Sequence, residues 1–115
     1  HAEDLLTVRV TGYLSVAEWA IHFDDVRHFP INDDRLRLAG LKGYMDGSLG
    51  SRTAFMREPY ADAASGAKHP RGQLTAIAAT GDSFRLLVAN AQNQGLQLAV
   101  HAIGDEANHL LLDAY

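Results

Sequence analysis

The sequence predicts an α/β fold in which parallel strands alternate with helices in the order βαβαβα. Two apolar segments, 36–44 and 96–101, have strand-like sequences and run directly into turns that contain glycine. Segments 82–93 and 105–114 place their apolar residues at helical spacing. Strands that alternate with helices in this way form parallel sheets with right-handed crossovers.

The first strand is predicted over residues 5–13, which are rich in β-forming residues and end close to a glycine. A helix is predicted directly after it, because Ser15 and Glu18 have the spacing of a capping box. The apolar residues of this helix recur at helical spacing: Val16, Trp19, Ala20, Phe23 and Val26. Pro30 marks its end.

The second strand, 36–44, carries a lysine on an otherwise apolar face. Alternation places five residues on that face: Leu36, Leu38, Gly40, Lys42 and Tyr44. Because a solvated cation is unusual among such neighbours, Lys42 is a candidate functional residue. A long loop with little periodicity is predicted to follow over residues 46–80, and loops of this length are usually functional or mobile.

The last part of the chain is predicted to form helix, strand and helix. The helix 82–93 ends before Gly95, which is expected to be its C-terminal cap. In the strand, Gln97, Ala99 and His101 share one face, and the apolar residues on the other face pack against helices. Asp105 is predicted to cap the final helix.

Composition sets limits on size and partners. The chain has 115 residues, 47% of them hydrophobic and 21% charged, as expected for a single domain. Its net charge is −4 and it has no basic block, so we expect no nucleic-acid partner. No stretch is long and apolar enough to predict a membrane span. The N-terminus lacks a methionine, and we expect the chain to be a piece of a longer protein.

Lys42 and His101 are the candidate metal ligands. The chain contains no cysteine, which leaves His, Asp, Glu and modified Lys as ligands. Both residues lie where predicted neighbouring strands give way to loops, on the same side of the sheet. A neutral imidazole binds zinc directly, and a lysine that takes up carbon dioxide becomes a carbamate that binds metals as a carboxylate does. The other histidines are expected to be surface or capping residues.

The glycine-containing loop 46–52 has an alternative interpretation. Its backbone N–H groups together with Arg52 could hold an anion, which would make the chain a non-catalytic α/β binding module. The loop has neither the ending of a Walker loop nor the spacing of a dinucleotide-binding loop, so nucleotide binding is the weaker hypothesis. A third interpretation is a structural fragment without a ligand.

Residues 41–54 and 100–108 resemble the two internal signatures of amidohydrolase family 3, a branch of the metal-dependent amidohydrolases that includes enzymes similar to N-substituted formamide deformylase. The resemblance covers essentially the whole chain but only a central slice of the family's length. It implies a partial TIM barrel of about three consecutive βα units, with residues 1–115 as one fragment of the hydrolase domain.

The resemblance also implies roles for individual residues. Lys42 would be the fourth-strand lysine, which is carboxylated in several members to bridge two metals, and His101 the fifth-strand ligand. Four further residues would line or support the site: Asp46, Ser48, Arg52 and Asp105. The resemblance implies a divalent metal cofactor, with zinc as the expected metal and one or two ions in the parent protein.

The implied reaction is hydrolysis of a carbon–nitrogen bond in a small amide or cyclic amide by a metal-activated water. The family's His-x-His pair, sixth-strand histidine and eighth-strand aspartate have no counterpart in this chain. We therefore expect the parent protein to be a hydrolase and the segment alone to be inactive. A fragment with open strand edges is also expected to form homo-oligomers or domain-swapped assemblies.

Overall fold

The computed structural model describes residues 6–18 and 33–115. The elements in chain order are β1 (Val10–Ser15), β2 (Leu36–Tyr44), α1 (Ala76–Ala79), α2 (Gly81–Asn93), β3 (Gln97–His101) and α3 (Asp105–Ala114). The body of the first predicted helix, from Trp19 to Pro30, lies outside the described residues. No helix in the described part of the chain is long and apolar enough to cross a membrane.

The three strands form one parallel sheet in the order β1-β2-β3. The predicted parallel α/β arrangement is therefore confirmed. In the register between β2 and β3, Lys42 lies opposite Ala99 and Tyr44 lies opposite His101. Because both strands run in the same direction, their C-terminal ends lie at the same edge of the sheet.

The first strand begins and ends later than predicted, at Val10 and Ser15 instead of residues 5 and 13. The carboxylate of Asp33 accepts hydrogen bonds from the backbone N–H groups of Arg35 and Leu36 and folds 33–35 into a turn. The ladder can begin only after this turn, and Val10 is the partner of Leu36. Residues 6–9 therefore lie beyond the end of the ladder.

The predicted capping box does not form. Ser15 is the last residue of β1, and its hydroxyl oxygen accepts the N–H of Ala17 at 3.3 Å. The N–H of Glu18 donates to the backbone carbonyl of Ser15 at 3.1 Å and not to its side chain. Residues 16–18 therefore form a turn directly after the strand.

Helices α2 and α3 pack against one face of the sheet. The predicted stripe of α2 is buried at Phe84, Val88 and Ala91, and that of α3 at Ala107. These residues meet two buried side chains that come from β2 and its end, Leu41 and Met45. The opposite face of the sheet carries Gly40, Lys42, Tyr44, Gln97, Ala99 and His101, and we call it the open face.

Glycine residues lie at the end of α2 and at the start of α3. Gly95 has φ +70°, and the N–H groups of Gly95 and Leu96 bond to carbonyls of the last turn of α2, which confirms the predicted cap. At the start of α3 the N-cap is Gly104, whereas the prediction named Asp105. Asp105 is the first helical residue instead, and its carboxylate accepts the backbone N–H of Arg57 from the long loop.

The long connection after β2 is largely irregular and tightly folded. Hydrogen bonds join its two halves: the N–H of Met56 donates to the carbonyl of Arg71, and the N–H of Tyr60 to that of Pro70. The short helix α1, Ala76–Ala79, was not predicted. A single turn of helix is too short to produce a periodic pattern in the sequence.

Candidate metal centre

Lys42 and His101 both lie on the open face, at the edge where the strands end. His101 lies opposite Tyr44, the last residue of β2, whereas Lys42 lies two residues earlier, opposite Ala99. Lys42 is therefore one side-chain position further from the edge of the sheet than His101. Lys42 and His101 are both half-buried. The sheet thus brings the two predicted ligands to one face, in successive layers of side chains.

Tyr44 lies between these two candidates, and the sequence analysis did not assign it a functional role. The Nζ atom of Lys42 lies 5.1 Å from the centre of the Tyr44 ring, within the range of a cation–π contact. The Tyr44 and His101 rings are 5.5 Å apart at an angle of 44°. Alternation along β2 already placed Tyr44 on this face, and that was the signal that could have found it.

His101 is held in a defined orientation by a backbone carbonyl. Its Nε2 atom lies 2.8 Å from the carbonyl oxygen of Gly47, which can only accept a hydrogen bond. Nε2 must therefore carry the proton. In the neutral ring the other nitrogen, Nδ1, then keeps its lone pair, as a metal ligand requires. The geometry of His101 fits a ligand that binds through Nδ1.

Asp46 is the most buried charged group near His101, with 3% of its surface exposed. Its Oδ2 atom accepts the N–H groups of Phe55 and Gly104 at 2.8 and 2.7 Å, and Oδ1 accepts that of Ile103 at 3.0 Å. Oδ1 also lies 3.7 Å from Nε2 of His101. Asp46 therefore joins the turn after β2 to the turn after β3.

Ser48 and Arg52 are occupied by contacts within the long loop. The Ser48 hydroxyl lies 2.9 Å from that of Ser51. The guanidinium of Arg52 pairs with Asp62, with its Nε 3.0 Å from Oδ1. This hydrogen bond raises the pKa of Arg52 and lowers that of Asp62. Both side chains are exposed, and the charge of Arg52 is balanced locally.

The anion-binding interpretation of loop 46–52 requires free backbone donors. Four N–H groups of this loop already donate to acceptors in or beside it, at Gly47, Ser48, Ser51 and Arg52. An anion would have to displace these bonds and the contact between Arg52 and Asp62. The geometry thus argues against the anion-binding module.

Asp105 supports the loop and not the open face. Its Oδ1 atom accepts the N–H groups of Arg57 and Glu106 at 2.8 and 2.9 Å. The bond from Arg57 is the main cause that lowers the pKa of Asp105. Arg57 also pairs with Glu106, Nε to Oε2, at 2.9 Å. These contacts attach the middle of the long loop to the start of α3.

Among the described residues, no three His, Asp or Glu side chains converge to form a group that could hold a metal ion. His109 pairs with Asp113 at 3.6 Å on the exposed side of α3, and His69 is exposed in the long loop. His22 and His28 lie outside the described residues. Lys42 and His101 therefore represent part of a metal site at most.

Comparison with known families matches residues 1–115, the full chain, to the family described as Amidohydrolase family. The chain belongs to the amidohydrolase family. The match confirms the resemblance found in the two internal signatures. Two curated relatives and two solved structures are also similar to this chain.

The curated relatives are much longer than this chain. Protein LONG AFTER FAR-RED 3 of Arabidopsis thaliana is 31% identical over 111 residues, which are 96% of this chain and 18% of the relative. Putative amidohydrolase YtcJ of Bacillus subtilis (strain 168) is 34% identical over 80 residues, which are 69% of this chain and 14% of the relative. The chain thus spans less than a fifth of either relative.

Two crystal structures share the fold. Both are of uncharacterized metal-dependent hydrolases. The one from Pyrococcus furiosus has a TM-score of 0.77 and 35% identity, and the one from Pyrococcus horikoshii OT3 has 0.76 and 31%. Each comparison covers 98% of this chain and 22% of the solved chain. The three parallel strands are therefore part of a TIM-like metal-dependent hydrolase fold, as expected.

Proposed function

We propose that this amidohydrolase segment belongs to a hydrolase that cleaves non-peptide carbon–nitrogen bonds in small amides or cyclic amides with a metal-activated water. Lys42 and His101 contribute to the metal site of that enzyme. The observation that carries the proposal is the orientation of His101, whose Nε2–H is held by Gly47 so that Nδ1 is left for a metal.

Lys42 would supply the second ligand as a carbamate, formed when its neutral amine attacks carbon dioxide, makes an N–C bond and releases one proton to solvent. An ammonium group cannot bind a metal, whereas a carbamate on Nζ offers two oxygen ligands and can bridge two ions. Lys42 lies on the same face as His101, one layer of side chains away. Its partner on β3 is Ala99, whose small side chain limits crowding beside a larger modified lysine.

Lys42, as a carbamate, and His101 would hold the divalent metal, zinc in this proposal, which would supply a water of lowered pKa and polarise the scissile carbonyl. The chain's own contribution is to hold two ligands on a rigid sheet. Asp46 fixes the turns behind His101, and Asp105 fixes the long loop. The remaining ligands and the proton shuttle come from other parts of the protein, so the segment alone is inactive.

The segment is also proposed to associate with itself when it is separated from the rest of the protein. In the described sheet, β1 and β3 are edge strands, each paired on one side only. Unpaired strand edges favour pairing with a second copy. Size-exclusion chromatography with light scattering of the 115-residue chain is expected to show a dimer or larger species, and a stable monomer would contradict this.

Metal analysis of the full-length protein tests the proposed site. After equilibration with zinc and bicarbonate, the wild type is expected to hold stoichiometric zinc, and both Lys42→Ala and His101→Ala are expected to lose it. The matched controls are Lys68→Ala and His109→Ala, which replace an exposed lysine and an exposed histidine. Zinc retained by both site variants, or lost equally by the controls, would contradict the proposal.

Activity is measured on the same samples. Wild-type protein loaded with zinc is expected to hydrolyse at least one member of a panel of N-acyl amines and cyclic amides, and His101→Ala is expected to be inactive throughout. Wild-type zinc binding without hydrolysis of any amide in the panel would refute the substrate class and leave the metal site in place.

A further inference from the structure

We propose that Asp46 is a positioning residue that sets the tautomer of His101. The inference rests on the proposed function in one respect, since it concerns the residue assigned there as a metal ligand. It adds a role for a buried carboxylate that does not itself bind the metal. The starting observation is that both acceptor atoms near Nε2 of His101 belong to residues 46 and 47.

The surroundings of Nε2 decide which nitrogen of His101 carries the proton. Nε2 faces the Gly47 carbonyl oxygen at 2.8 Å and Oδ1 of Asp46 at 3.7 Å. Neither oxygen has a proton to donate when the carboxylate is ionised. A lone pair on Nε2 would be repelled by both oxygens, whereas a proton there is attracted by both. This environment favours the tautomer that leaves Nδ1 unprotonated.

Asp46 also holds His101 and the Gly47 carbonyl in place relative to each other. Its carboxylate accepts the N–H groups of Ile103 and Gly104, which follow His101 at the end of β3. The next residue after Asp46 is Gly47, whose carbonyl receives the Nε2–H bond. One buried carboxylate thus fixes the position of His101 relative to its hydrogen-bond acceptor.

An asparagine amide cannot make the hydrogen bonds of the Asp46 carboxylate. Both carboxylate oxygens of Asp46 accept N–H groups, Oδ2 two of them and Oδ1 one. In Asp46→Asn one oxygen becomes an NH₂ group, which would face an N–H donor in either orientation. The negative charge near Nε2 would also be lost. Both changes weaken the preference for the Nε2–H tautomer.

Asp105→Asn is a matched control for a purely structural effect. Asp105 is also an aspartate that accepts two N–H groups at the junction between the long loop and α3. Both bonds go to the same oxygen, Oδ1, so an amide can keep them. The acceptors near Nε2 of His101 are Gly47 and Asp46, so substitution of Asp105 changes the junction without changing them.

The test uses ¹⁵N-histidine-labelled full-length protein without metal, at mildly alkaline pH. The ¹⁵N chemical shifts of His101 are expected to show the Nε2–H tautomer in the wild type and in Asp105→Asn, and a mixture of tautomers in Asp46→Asn. Zinc affinity, measured by competition with a chelator, is expected to fall about 10- to 100-fold in Asp46→Asn and less than about threefold in the control.

The outcomes separate this inference from the proposed function. An Nδ1–H tautomer in the wild type overturns the inference, and this measurement decides it even if Asp46→Asn does not fold. Unchanged tautomer and zinc affinity in a folded Asp46→Asn also overturn it. Wild-type protein that shows the Nε2–H tautomer but binds no zinc overturns the proposed function and leaves the tautomer assignment standing.

Discussion

Replacing Gly104 with alanine is expected to destabilise the protein by steric overlap alone. Gly104 has φ −63° and ψ 145°, a backbone conformation that alanine adopts without strain. A Cβ atom at this position would, however, lie less than 3.0 Å from three backbone atoms of Phe55. Backbone atoms cannot rotate away as a flexible side chain can, so the loop or the start of α3 must move.

The size of the effect follows from what this movement disturbs. Overpacking of a closely packed site costs about 1–3 kcal/mol. The shift also strains the hydrogen bond from Ala107 N–H to the Phe55 carbonyl or that from Gly104 N–H to Asp46, each worth about 0.5–1.5 kcal/mol. We expect Gly104→Ala to lower the free energy of unfolding by about 2–4 kcal/mol.

Urea unfolding of the full-length protein measures the difference. The matched control is Gly50→Ala, because a Cβ at Gly50 would meet nothing within 4 Å. The control is expected to change the free energy of unfolding by less than about 0.5 kcal/mol. If Gly104→Ala unfolds at the same urea concentration as Gly50→Ala, the close approach of Phe55 to the start of α3 is wrong.

Two further predictions concern the core and the response to acid. The Phe84 side chain is only 2% exposed, so Phe84→Ala is expected to lower the free energy of unfolding in urea by about 3–5 kcal/mol. Leu86 is 65% exposed, and Leu86→Ala is expected to lower it by less than about 0.5 kcal/mol. Equal losses would contradict the assignment of the core face. Hydrogen bonds lower the pKa values of the Asp33, Asp62 and Asp105 carboxylates below those of the unfolded chain. The stability that these bonds contribute is therefore present above about pH 4 and lost as pH falls further. The urea midpoint should drop below about pH 4, and a midpoint that rises there would refute these hydrogen bonds.

Local sequence patterns were sufficient to predict the three strands and helices α2 and α3, but not the single turn of α1. Helix α2 was predicted from the spacing of Phe84, Leu87, Val88 and Ala91, and all of these except the half-buried Leu87 are buried. Gly95 was predicted as the cap because only glycine adopts a positive φ at little cost. Such features depend on residues that are close together in the chain, and a single sequence contains them.

Features that depend on distant residues could not be predicted in the same way. The turn at Asp33 decides where β2 begins, and β1 can begin only where it pairs with β2. The orientation of His101 depends on Gly47, which is 54 residues away in the sequence. The role of Asp46 likewise depends on Gly104, 58 residues away. No local periodicity reports these contacts.

In the candidate site, too, features set by local sequence were predicted and features set by distant residues were not. Lys42 and His101 were identified from strand ends and from the resemblance, and the structure places them on one face. Tyr44 was on the predicted face but was not recognised as their neighbour, because the register between β2 and β3 is not readable from one strand. The register decides which residues are adjacent across a sheet.

An anomalous-diffraction map from crystals of the zinc-loaded full-length protein, grown in the presence of bicarbonate, shows whether Lys42 and His101 are metal ligands. We expect a zinc peak bonded to Nδ1 of His101, with Nε2 still bonded to the Gly47 carbonyl, and density for a carbamate on Lys42 that reaches the metal. A zinc site that includes neither Lys42 nor His101 would contradict the proposed metal centre.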